Sequence, residues 1–238
     1  MRVTRKDLTS FVGNELTSEE LGDLAGILKC RKESGDPGLP KEIVKQLYWQ
    51  YQTPLGFAAR TPTLDTMCDK IAKRLKLRKL AGAGWSRLYS LSICVFEKVL
   101  KSLPEEEKRG LLKELWNRLD DDQHKQLMNQ FHIGDFNALF HASEITAAHV
   151  FGVFLARQMT LYTAASLLAA FASSQAALVT SRILSRGVAV ALGPIGWGLL
   201  GLSANDFMGT RLKTVVPALL ILNAARLRTY PPEQMSFL

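Results

Sequence analysis

The sequence predicts an all-α protein, a multi-helix globular bundle followed by a hydrophobic, Ala/Gly/Ser-rich helical C-terminal part. Two observations predict this class: apolar residues recur at helical spacing, and no segment alternates apolar and polar residues over the length of a strand. Hydrophobic residues make up 47% of the 238 residues and charged residues 22%. This composition supports a real core and excludes intrinsic disorder and a collagen-like repeat.

Two helix starts are predicted by a capping box. In this motif a hydroxyl accepts a hydrogen bond from a free backbone N–H, and a Glu three residues later reaches back to the cap. Thr17 with Glu20 has this form, and so does Ser102 with Glu105. The apolar stripes that follow are Leu21, Leu24, Ala25 and Leu28 after the first start, and Leu111, Leu115, Trp116 and Leu119 after the second. Each stripe predicts a helix that packs one face on a core.

Breaks between the helices are predicted from turn-forming residues. Residues 35–40 and 82–84 are rich in Gly and predict short turns or loops, and Thr-Pro pairs at 53–54 and 61–62 bracket another break. The aspartates at 120–122 are expected to end one helix and cap the next, because carboxylates suit the positive end of a helix dipole.

Charge divides the chain into two parts. Up to residue 143 there are 23 basic and 19 acidic residues, whereas the remainder has 7 basic and 3 acidic residues. We therefore predict a charged helical part over 1–143, containing an N-terminal helical module (1–52) and a helical bundle (63–141), and a hydrophobic helical part over 144–238. The net charge of +8 favours an anionic partner, either a membrane surface or a nucleic acid.

Three runs without charge lie in the hydrophobic part: residues 158–181, 187–205 and 214–225. The first two are long enough to cross a hydrocarbon layer of about 30 Å. The first is diluted by Ser, Thr and Gln, and Pro194 interrupts the second. Three interpretations stay open: a buried helical core, an amphitropic module that inserts when it meets lipid, and a permanently spanning protein.

Two sets of residues in these runs are assigned roles. The side chains expected to contact a membrane or to be buried are Leu167, Leu168, Phe171, Leu178, Ile195, Trp197, Leu199 and Leu200. The glycines expected to allow close helix packing are Gly193, Gly196 and Gly201, beside a helix break near Pro194.

Six basic residues fall within ten positions: Lys70, Lys73, Arg74, Lys76, Arg78 and Lys79. They are candidates for binding an anionic surface, and the alternative is an ordinary solvated helix face. Aromatic residues are not interleaved with them, and no nucleic-acid motif occurs in the chain. We therefore expect no sequence-specific nucleic-acid partner and favour lipid.

Catalytic and metal-binding patterns are missing from the sequence. The four histidines are eight or nine residues apart and do not gather on one helix face. The aspartates at 120–122 lack the other ligands of a calcium loop. We expect no enzyme, no cofactor and no metal. Cys30, Cys68 and Cys94 are odd in number and widely spaced, which fits a reducing cytosol. No apolar stretch of signal-peptide length opens the chain, so we expect a cytoplasmic protein, with peripheral attachment at the inner face of the membrane.

Four stretches resemble the uncharacterised bacterial YaaW-like family, which is grouped more distantly with the ubiquinol–cytochrome c chaperone proteins. They are Asp7-Leu8-x-x-Phe11 with residues 17–21; residues 84–89; residues 115–120; and residues 193–197 followed by Arg211 and residues 214–218. The resemblance implies no catalytic residue, because the family has none assigned.

These observations together predict a non-enzymatic α-helical protein with a conditionally membrane-associating C-terminal part, amphitropic and a candidate for pore formation. The alternative is a soluble chaperone or scaffold that binds a hydrophobic protein client. The expected partner is accordingly an anionic membrane surface or such a client, and a homo-oligomer is left open.

Overall fold

The computed structural model describes residues 3–51, 62–102, 104–119, 121–150 and 212–230. All regular structure in these ranges is α-helical, which confirms the predicted class. The helices are α1 (Arg5–Glu15), α2 (Ser18–Leu28), α3 (Leu39–Tyr51), α4 (Leu64–Arg74), α5 (Trp85–Ser102), α6 (Glu105–Arg118), α7 (Asp121–Phe131), α8 (Phe136–His141), α9 (Glu144–Val150) and α10 (Leu212–Thr229).

The first predicted capping box is confirmed at the start of α2. The Thr17 hydroxyl accepts from the Glu20 N–H at 3.2 Å, and the Glu20 carboxylate accepts from the Thr17 N–H at 2.8 Å. The predicted stripe faces the core, with Leu24 and Leu28 fully buried and Leu21 packed at its edge. A second box, Thr4 with Asp7, starts α1 in the same way.

The second predicted capping box is wrong. Helix α5 continues through Ser102, and α6 starts at Glu105 after Pro104, which provides no side-chain cap. An N-cap needs extended backbone, whereas Ser102 still belongs to a helix. Pro104 instead occupies the N-cap position, with φ of −56° fixed by its ring and a non-helical ψ of 150°.

The stripe predicted after Ser102 is only partly described. Trp116 and Leu119 pack against the core while partly exposed, and Leu112, outside the predicted stripe, is buried. The side chains of Leu111 and Leu115 lie outside the described part.

The turn predictions are largely confirmed where the structure describes them. The loop over 35–40 ends at Gly38, because α3 starts at Leu39 and takes Pro40 into its first turn, where a missing N–H is tolerated. Gly82 and Gly84 turn the chain between α4 and α5 with φ of +72° and +59°. Residues 52–61 and Asp120 lie outside the described part, and Asp121 and Asp122 occupy the first turn of α7.

Helix α10 packs against α1, α2, α3 and α5, so it is surrounded by other helices. Its buried residues are Leu212, Val215, Val216, Pro217, Ala218, Leu219, Leu220, Ile221, Leu222, Asn223, Ala224, Ala225 and Leu227. The third uncharged run therefore forms a buried core helix. Helix α9 also packs on α5, so both described helices of the predicted hydrophobic part contact a helix of the predicted charged part. The division itself stays a prediction.

The other two uncharged runs lie outside the described residues. So do all of the apolar residues and glycines assigned there, from Leu167 to Gly201, and the break predicted near Pro194. Within the ranges that the structure describes, no helix has both the length and the apolar character needed to cross a membrane.

Candidate anionic-surface binding site

The six clustered basic residues are all exposed and fall into two groups. Lys70, Lys73 and Arg74 lie on the last turns of α4, whereas the other three lie in the connecting loop, which we define as residues 75–84 between α4 and α5. We call the six residues together the basic surface. The alternative interpretation, an ordinary solvated helix face, describes the position of the first group only, because α4 ends before the second group.

Helix α4 ends in a Schellman motif. The Leu77 N–H donates to the Ala72 carbonyl at 2.9 Å, and the Lys76 N–H donates to the Lys73 carbonyl at 3.2 Å. Lys76 takes a left-handed conformation with φ of +52°, at the position where glycine is most frequent. A lysine there places its positive charge near the negative end of the helix dipole.

The connecting loop is held against α5. The Arg78 Nε donates to Glu97 Oε2 at 3.1 Å, and the Ser90 hydroxyl accepts from the Ala81 N–H at 3.0 Å. At the start of the loop, the Lys98 ammonium donates to the carbonyl of Leu75. These contacts fix the backbone that carries the second group of cations.

The other end of the loop is held against α4. Asp65 accepts a hydrogen bond from the Gly84 N–H, and Arg87 donates to Asp69 at 2.6 Å and to the Gly82 carbonyl at 2.9 Å. Both ends of the connecting loop are therefore tied to its flanking helices.

Positive charge is in excess around this loop. Residues 62–102 contain nine basic and three acidic residues, so most of the net charge of +8 lies there. Glu97 accepts from both Arg78 and Lys101. Burial raises the pKa of Glu97, but hydrogen bonds from Lys101 and Arg78 outweigh it and hold this pKa below its usual value. One carboxylate is thus shared by two cations.

Three lysines of the basic surface have no carboxylate partner among the described residues. Within the described ranges, Lys73, Lys76 and Lys79 make no ion pair. Burial, followed by the nearby charge of Lys76, lowers the pKa of Lys98. These ammonium groups therefore form a surface whose positive charge is not neutralised by described neighbours.

Lys70 is placed differently from these three lysines. Its ammonium lies 4.8 Å from the centre of the Tyr51 ring, a cation–π contact that joins α4 to the end of α3. Burial and then the charge of Arg74 lower the pKa of Lys70.

Sequence reasoning identified the six basic residues but missed Arg87, Lys98 and Lys101, all on α5. Glu97 and Lys101 have the i, i+4 spacing of a helical ion pair, which is a signal available in the sequence. No signal in the sequence indicates the contact of Lys98 with Leu75, because these residues are 23 positions apart.

The histidines and cysteines of the described ranges do not form a metal or thiol site. No group of His, Cys, Asp and Glu there could hold a metal ion. The His124 ring packs against the Trp116 ring in a tilted arrangement, with ring centres 4.4 Å apart and planes at 40°. The three cysteines are free thiols, and burial, followed by the charge of Glu42, raises the pKa of Cys30 to about 11, which leaves it a poor nucleophile.

Comparison of the chain with protein-family models, with curated proteins and with solved structures finds no match. The resemblance to the YaaW-like family stays a prediction.

Proposed function

We propose that this chain is a non-enzymatic α-helical protein that docks on anionic membrane surfaces through the basic surface. The observation that carries the proposal is the exposure of Lys73, Lys76 and Lys79 without an ion pair in the described residues. Surface charges that are already paired contribute little to binding a further anion, whereas unpaired ones retain their full attraction.

Electrostatic attraction supplies the first step of this docking. A basic residue near an anionic leaflet contributes about 1 kcal/mol, so three lysines contribute about 3 kcal/mol, more than a hundredfold in partitioning. The attraction acts over a Debye length of about 8 Å at physiological ionic strength. Docking is therefore expected to be reversible and sensitive to salt.

A second, apolar contribution is expected from the uncharged runs at 158–181 and 187–205. Stable attachment usually takes two signals, such as a basic patch together with an apolar element. Burial of apolar side chains is not screened by ions, so this contribution should persist when salt weakens the first. The conditional membrane association proposed for the C-terminal part corresponds to this second step.

The alternative function, a chaperone or scaffold for a hydrophobic client, would favour a contiguous exposed apolar patch. The large apolar side chains that are exposed among the described residues are Trp49, Met128 and Tyr230. Trp49 lies on α3, Met128 lies on α7, and Tyr230 follows α10. The Arg226 guanidinium carbon lies 3.6 Å from the centre of the Tyr230 ring. Among the described residues, these side chains therefore give the client function no specific support.

Vesicle co-sedimentation tests the proposal. The full chain is compared with a basic-surface variant, Lys73→Gln with Lys76→Gln and Lys79→Gln, on phosphatidylcholine vesicles with and without phosphatidylserine. At low salt the wild type should bind the anionic vesicles, and the variant should bind about a hundredfold more weakly.

The matched control is Lys29→Gln with Lys41→Gln and Lys45→Gln, three exposed lysines that remove the same charge elsewhere. It should bind like the wild type. Equal loss in both triple variants would mean that only net charge matters and would contradict the assignment to the basic surface. A wild type that ignores vesicles and co-purifies with one protein would support the client function instead.

A further inference from the structure

Arg78 pairs with its carboxylate through the inner nitrogen of its guanidinium. Its Nε donates to Glu97 Oε2 at 3.1 Å, and within the described ranges its Nη1 and Nη2 make no hydrogen bond. Arg228, by contrast, uses both terminal nitrogens on Glu20, at 2.5 and 2.8 Å. The terminal edge of the Arg78 guanidinium, formed by the two nitrogens remote from Nε, therefore remains for another acceptor.

Burial differs between the two ends of this pair. The Glu97 side chain is 10% exposed, whereas the Arg78 side chain is 46% exposed. Glu97 Oε1 also accepts from the Lys101 ammonium at 2.6 Å, so both carboxylate oxygens are held. Two cations share this one carboxylate, so the three groups together keep one positive charge. The guanidinium is thus oriented from inside the protein without being neutralised.

A guanidinium oriented in this way suits an acceptor with two oxygens. Its N–H groups form a rigid planar fork, which pairs with a phosphate or a carboxylate through two parallel hydrogen bonds. A lysine ammonium carries the same charge but lacks this geometry. Because the connecting loop is tied to both flanking helices, the fork loses little conformational freedom when it binds.

We propose that Arg78 binds the phosphate group of an anionic membrane lipid through Nη1 and Nη2, and that Glu97 is the residue that positions it. This inference rests on the proposed function: the lysines of the basic surface attract the protein to the membrane, and Arg78 then makes a directed contact. We assign the phosphate because a phospholipid phosphodiester presents two non-bridging oxygens, whereas only some headgroups carry a carboxylate.

Phosphatidylglycerol vesicles test the contact, because the phosphodiester is their only anionic group. The full chain is compared by co-sedimentation at low salt with Arg78→Lys, which keeps the charge and removes the fork. The variant should bind about tenfold more weakly, the loss of one charge-assisted hydrogen bond. The matched control Lys79→Arg also exchanges one cation for another, and it should bind at least as tightly as the wild type. Equal binding by Arg78→Lys and the wild type would overturn the contact.

Glu97→Gln in two backgrounds tests the positioning role. Removing a negative charge beside the basic surface strengthens binding to an anionic vesicle if only long-range attraction acts. If Glu97 holds the fork, Glu97→Gln should weaken binding when Arg78 is present, because a neutral amide holds a guanidinium less firmly than a carboxylate does. In the Arg78→Lys chain the same change should strengthen binding. Tighter binding in both backgrounds, or weaker binding in both, would overturn the positioning role.

The outcomes distinguish this inference from the proposed function. A wild type that does not bind phosphatidylglycerol vesicles would overturn the proposed function as well. An effect of Arg78→Lys on phosphatidylserine vesicles, but not on phosphatidylglycerol vesicles of the same zeta potential, would assign the contact to the serine carboxylate and overturn the phosphate. Soluble glycerophosphoglycerol, at the phosphate concentration of the vesicles, should not displace the protein. Full displacement would assign the contact to a free phosphate group and overturn the lipid assignment.

Discussion

Non-glycine residues with positive φ end three helices of the described part. Lys29 follows α2 with φ of +54°, Lys76 follows α4 with +52°, and His132 follows α7 with +56°. The left-handed conformation strains any residue with a Cβ, at about 1–2 kcal/mol. At Lys76 the strained residue also carries a charge of the basic surface, which a glycine would remove.

Replacing Lys29 by glycine should stabilise the protein. The substitution relieves the left-handed strain, and part of that gain is lost to the greater freedom of glycine in the unfolded chain, so we expect the free energy of unfolding to rise by about 0.5–1 kcal/mol. Urea denaturation measures it. Lys45→Gly, in the interior of α3, should instead lower the free energy of unfolding by about 1 kcal/mol. Equal destabilisation by both changes would contradict the role of conformation at Lys29.

Glu20 joins the start of α2 to the end of α10. Its carboxylate caps Thr17 and pairs with both terminal nitrogens of Arg228, at 2.5 and 2.8 Å. Burial raises the pKa of Glu20, but the hydrogen bonds from Arg228 and Thr17 outweigh it and hold this pKa below its usual 4.5. The folded state therefore favours the ionised carboxylate.

Glu20→Gln should therefore lower stability in a pH-dependent way. Because the folded pKa lies below the unfolded one, the contribution of Glu20 is complete above about pH 4.5 and disappears as pH falls through the folded pKa. Above that range we expect the variant to lose about 1 kcal/mol in the free energy of unfolding, a modest value because Arg228 is 39% exposed. Urea denaturation at several pH values measures the difference. A difference that grows toward acid pH would contradict this account.

Helix α10 joins four other helices of the described fold. Its apolar residues contact α1, α2, α3 and α5, although more than 60 residues separate it from α9 along the chain. Pro217 lies inside the helix, where a missing N–H is unfavourable. Burial against surrounding helices therefore outweighs local helix preference in this element.

Leu222→Ala should destabilise the protein strongly. Leu222 is fully buried in α10, so its truncation leaves a cavity and should cost about 2–5 kcal/mol in the free energy of unfolding. The control Met128→Ala, at a side chain that is 53% exposed on α7, should change stability by about 0.5 kcal/mol or less. Similar small effects of the two changes would show that α10 is not packed in the core.

For single helices, the sequence predicts features that depend on neighbouring residues better than features that depend on contacts between distant parts of the chain. The start of α2 follows from Thr17 and Glu20, three residues apart, and the structure agrees. Ser102 has the same local pattern, but it lies within α5, so the local rule fails. The place of α10 could not be predicted, because a helix that is apolar on every side has no periodicity to show which faces are covered.

Across the whole molecule, most of the net positive charge falls in one stretch of the chain. Residues 62–102 carry most of the net positive charge, and the connecting loop there displays the basic surface. The sequence predicts which residues form this surface. It does not predict that Glu97, Lys98 and Ser90 hold the loop, because those contacts depend on how α4 and α5 pack. Such a distribution should orient the protein as it approaches an anionic membrane.

Amide hydrogen exchange on the full chain, with and without anionic vesicles, tests this central claim most directly. We predict slower exchange in peptides covering residues 70–84 when phosphatidylserine vesicles are present, and no change in peptides covering α1 and α2. Neutral phosphatidylcholine vesicles should leave the exchange of residues 70–84 unaltered. Protection that bypasses residues 70–84, or that is the same on neutral and anionic vesicles, would contradict docking through the basic surface.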